Sequence, residues 1–372
     1  MINYYQPFLL PFLRTQTYRL PEGVSRTYFI SFEDALWVLL RTLQIPKDST
    51  VLLPDFYCID VIENIKAHGF HVEYYPLDDH FQITEMELQR HITKHRPRLL
   101  IVFHACGITS AVTTKLDRIL QKNRDLIVIE DAVQRLINPE KVAILSPRHY
   151  VIDSLRKVSP LPGSFLYRRK ESPFITPDRT YKEWQYVFLS GIYYALFSVC
   201  NVLGTVLSNP SLIIYAHETI LAAHDNLIGD SQGGYAGNPI FPHIHKRFDF
   251  EKVANRKETQ VTRYDNQLRL LTSRFPMWYG IRIPTRSRGS VHAYPVGIKH
   301  PQRVLVMKYI QSRLLSQGIP VWFKFTDSPW SGKRGVLFLP LGFHINAADI
   351  TRISAALEKI SRRLPVHSPP RG

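Results

Sequence analysis

The sequence predicts a two-part α/β protein: a mainly parallel sheet flanked by helices, followed by a smaller α+β unit. Three observations carry that expectation. The chain has 372 residues, more than one hydrophobic core usually spans. Through the first half, short apolar runs alternate with amphipathic ones, which is the rhythm of βαβ units. After a stretch rich in Gly, Asn and Pro at 229–242, the pattern becomes a long charged helix and then strand, helix, strand and helix.

Taken in order, residues 1–25 hold Pro7, Pro11 and Pro21 among aromatics, which suits an extended arm. A short strand precedes a helix over 34–43, where Ala35, Leu36, Val38, Leu39 and Leu43 recur at helical spacing. Strands are expected at 51–53, 72–75, 99–103 and 126–129, with helices at 59–68 and 116–122. Ligands of such sheets sit beyond the carboxyl ends of the strands, so 54–58, 104–107 and 130–134 are the segments to inspect. Residues 250–271 read as a connecting helix, 291–298 and 336–339 as strands, and 304–317 and 347–361 as helices. Asn346 is placed to cap the last of these, with Asp349 in its first turn. The expected division is an arm at 1–25, a large unit at 26–248, and a connector with a small unit at 249–372.

An apolar fraction of 45% with 21% charged residues describes a chain that folds throughout. Cys58, Cys106 and Cys200 make no disulfide framework, and no Cys/His spacing suits a metal, so a reducing cytoplasm and no metal site are expected. The first residues lack the features of a secretory signal. Lys and Arg outnumber Asp and Glu by 47 to 31, mostly after Arg148, in clusters such as Arg282, Arg286 and Arg288. That field favours an anionic small-molecule partner, or is simply a solvated basic surface. No nucleic-acid motif accompanies it, so no nucleic-acid partner is expected.

Residues 184–217 contain no Asp, Glu, Lys or Arg across 34 positions. The length suffices to cross a membrane, but Ser190, Gly191, Ser198, Asn201, Gly204, Thr205 and Ser208 interrupt it. The expectation is a helical segment buried against the large unit or a second subunit, in preference to membrane association.

The string V-I-E-D-A-V-Q at 128–134 places an aspartate after a strand and a glutamine three residues later. D-S-L-R-K-V-S-P-L-P-G follows at 153–163, with Lys157 twenty-six residues after Asp131. V-L-L-P-D-F-Y-C at 51–58, H-A-C-G at 104–107, V-L-F-L-P-L at 336–341 and D-I-T-R-I at 349–353 keep the same register. Together these resemble the DegT/DnrJ/StrS-type sugar aminotransferases, a branch of the pyridoxal-phosphate (PLP) transferases of fold type I. The resemblance covers most of 26–365.

It implies PLP as cofactor, held by Lys157 as anchor and general base, with Asp131 facing the pyridine nitrogen and Gln134 near the ring. It implies Ser154 and Ser31 at the phosphate, Phe32 in the phosphate-binding turn, Tyr57 and Cys58 beside the ring, and His104 at the edge of the site. It further implies a homodimer that transfers an amino group from an amino acid to a keto sugar or similar anionic ketone. A related PLP-dependent lyase stays open, as does a PLP-fold scaffold without catalysis.

The sequence departs from this family at S-F-E-D-A-L, residues 31–36. Phe32 stands where a small residue lets backbone amides approach a phosphate, and Glu33 brings a carboxylate to an anion site. Each candidate also has a plainer reading. Asp131 suits the cap of a turn, Lys157 a solvated charge beside Arg156, and His104 a satisfied interior histidine.

Overall fold

The computed structural model describes residues 13–157, 162–178, 184–228, 234–323, 325–332 and 334–364. The first part of the expected arm, 1–12, lies outside the described residues. The chain enters through β1 (Val24–Phe29), α1 (Phe32–Thr42), β2 (Thr50–Pro54), α2 (Ile59–Ala67), β3 (His71–Tyr75) and α3 (Glu85–His95). It continues through β4 (Leu99–Phe103), α4 (Leu116–Lys122), β5 (Ile127–Ala132), β6 (His149–Asp153) and β7 (Ser164–Arg169). These strands form one seven-stranded sheet in the order β1-β7-β6-β5-β4-β2-β3. The five strands from β6 to β3 run parallel, whereas β7 is antiparallel to β6 and to β1.

The centre of this sheet is covered on both faces, so every residue of β4 and β5 is buried. Such strands read as continuous apolar runs, which is why β4 is found at the predicted residues. α3 goes unpredicted because it buries only Leu88 and Ile92 on an otherwise charged helix. Its start is fixed locally, by the Thr84 hydroxyl accepting from the Glu87 amide at 3.2 Å.

A helical pair comes next, α5 (Trp184–Val206) and α6 (Pro210–Ile228), then the short α7 (Ile240–His245) and the long α8 (Phe250–Arg274). The remaining elements are β8 (Trp278–Gly280), α9 (Thr285–Arg288), β9 (Tyr294–Ile298), α10 (Arg303–Leu315), β10 (Trp322–Phe323), β11 (Gly335–Leu339) and α11 (Ala347–Ser361). β8 to β11 make a four-stranded antiparallel sheet in the order β10-β11-β9-β8. α11 begins with a full capping box, Asn346 accepting from the Asp349 amide and Asp349 accepting from the Asn346 amide, both at 2.9 Å.

The uncharged segment is helical, as expected, but the described chain does not bury it. α5 and α6 pack on each other through Phe197, Ala216, Ile220 and Ala223, and this cluster reaches Trp322 of β10. The other face of α5 is open, with Val199 54% and Val206 74% exposed.

One glycine couples the two sheets. Gly107 follows β4 at φ +84, and a Cβ there would run into the Gln134 carbonyl and the Val291 backbone. The Ser290 hydroxyl donates to the Gly107 carbonyl at 3.0 Å, and the Leu136 amide donates to the Ser290 carbonyl at 2.7 Å. A side chain would therefore both strain the turn and force the layers apart. Gly107→Ala is expected to destabilise the protein by roughly 3 kcal/mol in urea unfolding. Gly191→Ala, in α5 with open space around it, is expected to be neutral or stabilising by up to about 1 kcal/mol.

Candidate active site

β5 and β6 are parallel and in register, with Asp131 opposite Ile152 and Ala132 opposite Asp153. Their carboxyl ends therefore open side by side, and the segments leaving the two strands meet over the sheet edge. After β6 the chain makes a 3₁₀ turn at Leu155–Lys157, tied down by the Leu155 amide donating to the Gly163 carbonyl at 2.8 Å. That turn brings Ser154, Arg156 and Lys157 to the same pocket as Asp131 and Gln134. From the other strands come Tyr57, Cys58 and Phe103, from α1 come Phe32 and Glu33, and from the loop after β10 comes Phe325. The enclosed volume is about 70 Å³.

Asp131 is 2% exposed, and both its oxygens are engaged. The Tyr57 hydroxyl donates to Oδ2 at 2.6 Å and the Val133 amide to Oδ1 at 3.0 Å. Burial pushes its carboxyl up to about 7, against the pull of those two hydrogen bonds. The turn-capping reading and the pocket reading of Asp131 thus coexist in one side chain. Tyr57 stands edge-on to Phe103, with ring centroids 5.2 Å apart, which fixes its hydroxyl toward the carboxylate. Gln134 is held by its own acceptor, since the Cys106 amide donates to Oε1 at 2.6 Å. Its amide nitrogen is the group left for the pocket.

Seven of the nine candidate residues line this pocket: Lys157, Asp131, Gln134, Ser154, Phe32, Tyr57 and Cys58. Ser31 and His104 do not. The Ser31 hydroxyl caps α1, accepting from the Asp34 amide at 3.0 Å and donating to Asp34 Oδ2 at 2.5 Å. Asp34 in turn accepts from the Tyr235 amide at 3.0 Å, so the pair closes a local lock.

His104 is fully buried on the other face of β5. Its Nδ1 accepts from the Ser110 amide at 3.1 Å, which leaves Nε2 to donate to Glu130 Oε2 at 2.8 Å. His149 does the same, accepting from the Leu145 amide at 3.0 Å and donating to Glu130 Oε1 at 3.0 Å. Burial opposes the charge on Glu130, but the bonds from the two histidines outweigh it and hold the carboxyl well below its usual range. His104 is thus a structural partner of Glu130.

Val61, Phe103, Val133, Arg156 and Phe325 also line the pocket without having been singled out in the sequence. Arg156 carried a signal in its adjacency to Lys157. Phe325 carried none, because it arrives from a loop almost 170 positions further along, held at φ +62.

The donor set suits a pyridine ring bearing a phosphate: an amine, a buried carboxyl, a side-chain amide, a hydroxyl and a guanidinium converge on one cavity. Glu33 works against the phosphate end of that fit. No protein-family model matches the chain, and no curated protein matches it in sequence. Solved structures do match in fold. A DegT/DnrJ/EryC1/StrS aminotransferase from Brucella abortus is 16% identical with a TM-score of 0.56, over 91% of this chain and 87% of that one. NtdA from Bacillus subtilis, solved with bound pyridoxamine phosphate (PMP), is 13% identical with a TM-score of 0.58, over 91% of this chain and 74% of that one. DesV from S. venezuelae is 14% identical with a TM-score of 0.56, over 91% and 85%. At such identities the likeness establishes the architecture: this chain has the fold of the type I PLP-dependent transferases.

Proposed function

We propose that the protein is a PLP-dependent aminotransferase that moves an amino group from an amino acid to a small anionic ketone, a keto sugar being the class suggested by the structural neighbours. The observation that carries this reading is the convergence of Lys157 and the buried Asp131 on one pocket from adjacent parallel strands. PLP, when bound, supplies the electron sink that makes an amino-acid Cα–H acidic.

The chain's own groups divide the remaining work. Lys157 is the one lysine among the described lining residues, so its Nζ is the group to attach the cofactor covalently. With the cofactor held there, the Lys157 Nζ would be the base placed to take a proton from the substrate Cα and to return one. Asp131, ionised, pairs with a protonated ring nitrogen, and the Tyr57 hydroxyl keeps the carboxylate aimed. Ser154 and Arg156 serve the phosphate, whose charge the guanidinium offsets. Phe103 and Phe325 exclude water.

A volume of about 70 Å³ is below the roughly 300–1,000 Å³ of small-molecule sites, so occupancy requires side chains to withdraw. Together with the Glu33 carboxylate, this supports a second reading: a PLP-fold scaffold that no longer holds the cofactor. Purified protein separates the two. The enzyme reading expects a visible absorbance from bound PLP, borohydride trapping of the cofactor on the Lys157 peptide, and amino transfer from glutamate. Lys157→Ala is expected to abolish trapping and to lower turnover by at least about 10³-fold while leaving the unfolding midpoint of the cofactor-free protein unchanged. Protein that takes up no PLP in excess supports the scaffold.

The cofactor-free protein carries a pH signature as well. Asp131 and Asp153 are both buried, and burial raises each from an ordinary 3.8 to about 7. Between those values the folded state holds protons that the unfolded chain has released, so stability falls as pH rises from about 4 through about 7. Each group accounts for a loss on the order of 4 kcal/mol across that window. Asp55, raised by burial to about 6, adds to this fall, whereas His104, His217 and His245, all lowered by burial, oppose it, so the check is a difference from wild type. Asp131→Asn is expected to lose less stability than wild type between pH 5 and pH 8 in urea unfolding.

A further inference from the structure

We infer that the open face of α5 is a membrane-contacting surface, on which the protein rests against an anionic lipid bilayer. Half of the fourteen large apolar side chains exposed among the described residues lie on this one helix. Phe188, Ile192, Leu196, Val199, Leu203 and Val206 fall, at 3.6 residues per turn, within an arc of roughly 80°.

Helices of soluble proteins turn their apolar stripe inward. α5 is arranged the other way round. Ser190 and Asn201 are 1% and 0% exposed, on the side facing the protein. The Ser190 hydroxyl donates across to the Ala223 carbonyl of α6 at 3.2 Å. Ser198 donates to the Tyr194 carbonyl at 3.0 Å and Thr205 to the Asn201 carbonyl at 2.7 Å, so the three hydroxyls are satisfied within the hairpin. Gly204 sits where a side chain would meet Leu212 and Ile213, letting the two helices approach closely. Inward hydroxyls, a small residue at the crossing and an outward apolar face are what a lipid solvent requires of a helix.

The hairpin's attachment sets the mode of contact. α6 packs under α5, and its His217 lies 5.5 Å from the Trp322 ring, while the turn at Ser208 and Pro210 lies in a cleft with Gln317 and Arg352. Held along its length, α5 lies flat and offers about 34 Å of apolar surface in the membrane plane, in place of a spanning helix. Charge favours an anionic surface, because the chain carries a net +16 and Arg352 stands at the hairpin turn. Asp349 shares that cleft and offsets Arg352 there, so the attraction rests on the net charge of the chain.

The test is sedimentation of the full-length protein with phosphatidylcholine vesicles, with and without phosphatidylglycerol. Wild type is expected to sediment with the mixed vesicles, less with phosphatidylcholine alone, and partly to resist elution by high salt. Leu196→Gln combined with Val199→Gln is expected to weaken partition by about tenfold or more, since it removes two inserted apolar groups. Leu305→Gln, an exposed leucine on α10, is expected to change nothing. Circular dichroism checks that the variants fold, and wild type alone decides the matter if they do not. Wild type that stays in the supernatant with every vesicle overturns the proposal. If that protein is also a dimer, and Leu196→Gln makes it a monomer in velocity sedimentation, a second copy covers the face instead.

Discussion

Two adjacent carboxylates buried on the central strand are the constraint around which the large sheet is arranged. Successive residues of a strand point to opposite faces, so Glu130 and Asp131 cannot share a partner. Glu130 is stabilised as an anion by two histidines, each locked into one tautomer by a backbone amide. Asp131 receives two hydrogen bonds and no cation, and burial drives it toward the neutral acid. The same strand thus carries one carboxylate that holds the fold and one whose charge waits for a cationic partner. A slip of one residue in β5 would exchange them and bury an anion against Tyr57 while opening the histidine pair.

This division explains what was legible in the sequence and what was not. The apolar runs of β2, β4 and β11 and the cap of α11 rest on local chemistry, and the structure has them within a residue or two of the predicted bounds. Lys157 and Asp131 were picked out by the resemblance of their surrounding strings, and the parallel register of β5 and β6 brings both to one pocket. His104 was misassigned because H-x-x-G follows a strand end, where ligands usually sit, and nothing local reveals that Glu130 lies behind it. Ser31 was misassigned for a related reason: a serine at a helix start reads as a phosphate ligand until its hydroxyl is seen to be taken by Asp34. Phe325 depends on a long-range approach that no local pattern encodes.

The hairpin bears on the uncharged segment through the same physics. Polar interruptions in an apolar run argue against lipid only if they face it, and composition alone does not say which way they point. In α5 Ser190 and Asn201 turn inward, Ser190 bonding to α6, while Leu196, Val199, Leu203 and Val206 turn away. The interruptions are therefore the adhesive of the hairpin, and the uninterrupted face is the one left outside.

The two sheets meet at the pocket through two contacts of different character. The first is rigid: Gly107, Gln134 and Val291 are packed so closely that no Cβ fits, and Ser290 bonds across to Gly107 and Leu136. The second is the segment after β10, where Phe325 packs edge-on to Phe56 and Phe103 at centroid distances of 4.8 and 6.1 Å, and the Trp330 amide and indole donate to the Asp55 and Asp78 carbonyls at 3.3 and 3.2 Å. Hydrogen bonds with defined partners resist displacement, whereas an edge-on ring can rotate or slide at the cost of dispersion contacts alone. Of the lining groups, the Phe325 ring is held by dispersion contacts, while Gln134 and Asp131 are held by hydrogen bonds. The groups that would face a ring are thus fixed by polar contacts of the large sheet, and the group that covers them by packing alone.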